Sequence, residues 1–96
     1  MAKTPLNPNY TIQQSRRARK GLKKLPPAKR KEVNRIINEY LAVSPLVRIP
    51  HKTKGLHGEY EGAYQYDVDD SNRIIYWVNK DEKTVYIDVI GSHPNW

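Results

Sequence analysis

Residues 59–93 limit the fold more than any other part of the chain, because they read as three strands in succession. Tyr60, Tyr64, Tyr66 and Val68 alternate with Glu61, Gln65 and Asp67, and residues 73–78 and 85–90 are rich in β-branched and aromatic side chains. Residues 69–72 and 79–83 are polar and have the length of hairpin loops, so the three runs form a meander. A chain of 96 residues is one domain, with room for one sheet and a single helical layer. The face of His93 is open: strict alternation along the last strand groups it with Val85, Ile87 and Val89, whereas Arg73 sides with Ile75 and Trp77, and a bend at Gly91 would bring them together. The last strand runs into Gly91, Ser92 and His93, which makes a histidine at the end of the sheet the first candidate site residue.

What precedes the meander can cover it. Residues 1–9, with Pro5 and Pro8 and no apolar pattern, read as an extended lead-in to a single domain of residues 10–96. Tyr10, Thr11 and Ile12 favour a short first strand, and Ser15 is suited to cap a helix. Ala18, Leu22 and Leu25 lie on one helical face, opposite Arg16, Arg17, Arg19, Lys20, Lys23 and Lys24. Such neighbouring like charges cost a few tenths of a kcal/mol per pair unless a polyanion relieves them. Gly21 should weaken this helix by about 1 kcal/mol relative to Ala. Pro26 and Pro27 break the chain, and Pro27 suits the first turn of a second helix. Within residues 28–42, Val33, Ile36, Ile37, Tyr40 and Leu41 make an i, i+3, i+4, i+7, i+8 stripe. The expected fold is α+β, ordered β-α-α-β-β-β, with a helical hairpin on one face of a small, mainly antiparallel sheet. Ile37→Ala should cost about 2 to 5 kcal/mol by chemical denaturation, and a cost below about 1 kcal/mol would remove it from the core.

The charge is unevenly divided. Residues 1–54 hold 14 Lys or Arg against Glu32 and Glu39, a balance of +12, whereas residues 55–96 hold three against eight acids, a balance of −5. So polarised a chain suits a polyanionic partner, most commonly phosphate. Cysteine is absent, which removes disulfide, CxxC and thiolate-zinc chemistry. No apolar run approaches a membrane span and no secretory signal is legible, so the expected setting is the cytoplasm without a membrane partner.

Residues 44–58 carry Pro45, Pro50, Gly55 and Gly58, and so read as a loop. His51, Lys52, Lys54 and His57 are concentrated in it, just ahead of the next strand, where a rigid scaffold can present them to a ligand.

A basic strand-helix-helix, then Leu56, His57 and Gly58, then Arg73, Ile74, Ile75 and Tyr76, then residues 85–90 closing on Gly91, Ser92 and His93, resembles the RelE/ParE superfamily of bacterial and archaeal toxins. The resemblance covers nearly all of the chain after Asn9. The terminal Gly-Ser-His resembles the ribosome-dependent mRNA endoribonucleases of the superfamily more than its gyrase-poisoning branch. It implies metal-independent, cofactor-free cleavage of mRNA in the ribosomal A site, beside ribosomal RNA: the ribose 2′-hydroxyl attacks the adjacent phosphorus, leaving a 2′,3′-cyclic or 3′-phosphate and a 5′-hydroxyl. It also implies a separately encoded antitoxin.

That reaction needs a proton acceptor, a proton donor and cations for the phosphorane. By resemblance, His93 is the general acid and Arg73 the phosphate clamp, a guanidinium being able to hold two oxygens at once. The base stays open: His57, His51, Lys54 and Lys52 all lie in the loop, where a lysine would serve as a cation or, with a strongly lowered pKa, as a base. Asp69 or Asp70 could orient a histidine, or simply belong to an acidic turn. Arg16, Arg17, Lys20 and Lys23 would contact RNA, and Trp96 could stack on a base. Three other readings compete: a zinc site from His51, His57 and His93, a gyrase inhibitor of the same fold, and a non-catalytic RNA-binding module.

Overall fold

The computed structural model describes residues 9–92. His93 and Trp96 therefore lie outside the described residues. Five strands form one sheet in the order β1-β5-β4-β3-β2, comprising β1 (Thr11–Gln14), β2 (Thr53–Gly55), β3 (Tyr64–Asp67), β4 (Asn72–Asn79) and β5 (Thr84–Ser92). β1 pairs parallel with β5, and the other neighbours are antiparallel. Two helices, α1 (Arg16–Lys24) and α2 (Pro27–Ile36), join β1 to the rest, and α2 continues as one π-helical turn over Ile37–Leu41. The α+β fold with a helical hairpin on the sheet is the one expected.

Local chemistry explains the hairpin. Ser15 caps α1, its Oγ accepting the Ala18 N–H at 2.9 Å while donating to the Asp88 carbonyl at 2.7 Å, which ties the helix start to β5. At the other end Arg30 of α2 donates to the carbonyls of Leu25 (2.9 Å) and Lys23 (3.3 Å). A cationic side chain thus occupies the negative end of α1 and satisfies carbonyls the helix leaves open. Ala18, Leu25, Val33, Ile37 and Leu41 pack on Val68, Ile74, Tyr76, Val85, Ile87 and Ile90. Ile37 is 4% exposed, as the expected cost of truncating it requires.

Two expectations about the strands are corrected. Tyr60 does not continue the alternation of Tyr64 and Tyr66: Gly58–Tyr60 is a 3-10 turn, and Gly58 (φ 73) and Gly62 (φ 96) sit in the left-handed region that ends extended chain. Residues 44–58 are not all loop, since Thr53–Gly55 pairs with β3. Three residues at a sheet edge carry too few side chains to show a period.

The pairing of β4 with β5 brings a third correction. Ile75 pairs with Val89 but Tyr76 pairs with Ile87, so Asp88 is an extra residue in β5. The bulge changes the parity of the strand. Val85 and Ile87 face the helices, whereas Val89 packs with Ile75 and Ala63 on the opposite face. Val85, Ile87 and Val89 therefore do not share one face, contrary to strict alternation. Ser15 on the Asp88 carbonyl and Arg17 on its carboxylate, at 3.3 Å, hold the bulge from α1.

Candidate active site

The face of the sheet turned away from the helices carries Arg73 and the polar side chains around it. Register puts Asp67, Arg73 and Gly91 in one row across β3, β4 and β5. The adjacent row holds Lys54, Gln65, Ile75 and Val89. Tyr66 and Val68 pack toward the helices, so Gln65 and Asp67 alternate onto this open face. Farther along, Leu56, Tyr60 and Trp77 pack against Ile75, Val89 and Ala63, with the Tyr60 and Trp77 ring centroids 6.4 Å apart. The segment from Leu56 to Ala63 thus covers part of the face and leaves the Asp67–Arg73 end outside its apolar contacts.

Arg73 is half-buried, and its Nε is buried without a hydrogen-bond partner among the described residues. An unpaired buried donor costs about 1 to 3 kcal/mol, which an anionic oxygen can relieve. The side chain of Gln65, 6% exposed overall, donates from Nε2 to Asp67 Oδ1 at 2.7 Å. In the sequence both read only as the polar alternates of Tyr64 and Tyr66. Their relation to Arg73 depends on the register of a hairpin, which composition does not specify.

The other candidates are dispersed. Lys54 is exposed on β2, and Lys52 is exposed while its carbonyl accepts the Asp67 N–H at 2.7 Å. His51 is exposed at φ 66 in the turn before β2. The His57 side chain is 87% exposed, its Nδ1 lying 3.6 Å from Glu61 Oε1. Asp70 is exposed at the β3–β4 turn. Asp69 accepts from the N–H groups of Ser71 and Asn72, both at 2.8 Å, and pairs with Lys29 of α2 at 2.7 Å. Lys29 above all, and then the Ser71 N–H, hold that carboxyl far below the usual range. Its partners are the turn and α2, so Asp69 fixes the hairpin from which Arg73 projects.

No protein-family model and no curated sequence matches the chain, so its relatives are reached through structure. It superposes on the toxin–antitoxin complex RelBE2 of Mycobacterium tuberculosis with a TM-score of 0.74 and 25% identity, covering 91% of this chain and 94% of that one. The archaeal RelE–RelB complex of Pyrococcus horikoshii gives 0.73 at 23% identity, covering 92% and 99%. The intact RelBE toxin–antitoxin complex of E. coli gives 0.68 at 23%, covering 90% and 99%. The chain has the RelE/ParE toxin-superfamily fold.

On this RelE/ParE scaffold the cations of α1 occupy two kinds of position. Arg17, although half-exposed, donates to the Tyr60 hydroxyl at 3.0 Å and pairs with Asp88, joining α1 to the segment over the open face. Arg16, Lys20 and Lys23 are exposed. Arg16 and Lys20, with Lys24, border a 740 Å³ groove floored by Gly21, Val89, Ile90 and Gly91 at the end of β5. Among the described residues no three His, Asp or Glu side chains converge as metal ligands, and no helix is long and apolar enough to cross a membrane.

Proposed function

We propose that this chain is the toxin of a toxin–antitoxin pair and cleaves mRNA on the ribosome, without metal, by attack of the ribose 2′-hydroxyl on the adjacent phosphorus. The observation that carries the reading is the parity change at Asp88, which gives the odd positions of β5 beyond the bulge, Val89 and Gly91, the same face as Arg73. In this reading Arg73 holds the phosphate, His93 protonates the 5′-oxygen, and Lys54 adds positive potential. A base among His57, His51 and the carboxylates completes the set. The relatives' structures are complexes of toxin with antitoxin, which supports an antitoxin as this chain's protein partner.

The test is to incubate the purified chain with mRNA, with and without programmed ribosomes and in the presence of EDTA, and to map the ends, with gyrase supercoiling assayed beside it. Ribosome-dependent cuts with 5′-hydroxyl ends are expected. Gyrase inhibition without cleavage would replace the reading with a ParE-like one, and RNA binding alone would reduce it to a non-catalytic module.

The exposed face of α1 adds a second expectation. Ribosome association should weaken linearly in log affinity against log salt, each phosphate contact contributing about 0.7 to 0.9 to the slope. Reversing Arg16, Lys20 and Lys23 to Glu should flatten that slope by about one per lost contact while the thermal midpoint stays within a few degrees. Arg17 is left intact because its reversal would break the bonds to Tyr60 and Asp88. An unchanged slope would remove α1 from the RNA-facing surface.

A further inference from the structure

We propose that Asp67 is the general base of this site, the group that takes the 2′-hydroxyl proton; the proposal rests on the RNA-cleavage reading above. Asp67 and Arg73 are directly paired across β3 and β4 on the open face. The Cβ atoms of such a pair lie about 4.5 to 5.5 Å apart. Two head groups at that spacing can engage a phosphate and the hydroxyl on the adjacent ribose carbon together. None of the ion pairs among the described residues involves either of them, so neither charge is spent on the other.

Asp67 is also held for the task. Its Oδ1 takes the hydrogen bond from the buried Gln65 amide, and no described group bonds Oδ2. Its backbone is tied by the N–H bond to the Lys52 carbonyl. The charged groups that face it are Arg73 from β4 and, one row away, Lys54 from β2, both cationic. They surround the carboxylate with positive potential that also attracts a phosphate. The alternatives are less well situated: His57 is 87% exposed beside Glu61, and Lys54 is exposed on the edge strand β2.

In the step that follows, the 2′-O–H proton passes to Asp67 Oδ2 as the 2′-oxygen bonds to phosphorus. The bond from phosphorus to the 5′-oxygen breaks, and that oxygen takes its proton from the acid. The products are a 2′,3′-cyclic phosphate and a 5′-hydroxyl, with no oxidant, reductant or further reactant needed.

Single-turnover cleavage of ribosome-bound mRNA is to be followed from pH 4 to 9 for wild type, Asp67→Asn, Asp67→Glu and His57→Gln, with ribosome binding measured for each. Asp67→Asn should bind within about threefold of wild type and cleave about 10² to 10⁴-fold more slowly, the usual contribution of acid–base catalysis. Asp67→Glu should restore part of the rate. The acidic limb of the wild-type profile should vanish in Asp67→Asn and persist in His57→Gln. An acidic limb that His57→Gln removes and Asp67→Asn leaves in place would transfer the role to histidine and overturn the proposal. Loss of binding and cleavage together in Asp67→Asn, or unchanged cleavage, would overturn it too. A wild type inert toward RNA on ribosomes would overturn the function itself, an outcome separable from all of these.

Discussion

Arg73→Ala should slow cleavage of ribosome-bound mRNA by about 10² to 10³-fold, equivalent to losing roughly 2.7 to 4 kcal/mol of transition-state charge stabilisation. The guanidinium is half-buried on the open face, between Asp67 and Gly91, with its Nε lacking any described partner. Removing an unpaired donor forfeits no hydrogen bond, so the thermal midpoint of Arg73→Ala should equal or exceed that of wild type. Arg73→Lys keeps the charge but not the two-oxygen fork, and should recover only part of the rate. His93→Gln should lose about 10² to 10⁴-fold for a different reason, since glutamine keeps a hydrogen-bonding tip but cannot cycle a proton near neutral pH. Its profile should lack the alkaline limb that loss of the acid's proton produces in wild type. Near-wild-type turnover in His93→Gln would withdraw the acid assignment. A marked loss of stability in Arg73→Ala would mean that this arginine is held by the fold rather than reserved for a ligand.

Gly21→Ala should destabilise the fold although it improves the helix. Helix propensity alone favours alanine by about 1 kcal/mol. Contact opposes it: a Cβ on Gly21 would overlap the backbone carbonyl oxygen of Ile90. Ile90 is 3% exposed and pairs with Ile74 in the middle of the sheet, so the carbonyl has little freedom to retreat. The helix must lift instead, loosening Ala18 and Leu25 from Ile87 and Ile90. Overpacking of this kind costs about 1 to 3 kcal/mol or more and should outweigh the propensity gain. The denaturation midpoint should fall, and amide exchange should quicken in α1 and β5 together. A more stable Gly21→Ala would show that α1 can move off the sheet at little cost.

How much was legible followed the range of the physics. The apolar stripe of Val33, Ile36, Ile37, Tyr40 and Leu41, the Ser15 cap, the Pro26–Pro27 corner and the β-branched runs of the meander each act over a few residues, so secondary structure could be read directly. Arg73 stood out through the resemblance of residues 73–76 to the superfamily's Arg-hydrophobic-hydrophobic-Tyr run. Gln65 and Asp67 were visible as alternates but mute, and Asp69, beside Asp70, gave no sign that α2 would claim it through Lys29.

The sequence by itself determined the α+β class, the hairpin of helices over a meander, the division of charge, and a short set of residues able to do phosphate chemistry. Only the tertiary structure decided which of them share a face. One extra residue at Asp88, held by Ser15 and Arg17 from a helix more than seventy positions away, reverses the parity of β5 and puts Val89 and Gly91 on the side of Arg73. The register of the β3–β4 hairpin then pairs Asp67 with Arg73. Close packing of α1 on β5 turns Gly21 from a weak point in a helix into a requirement. Side-chain periodicity is local, whereas parity, register and close approach are set by contacts between distant segments, and those exist only once the chain has folded.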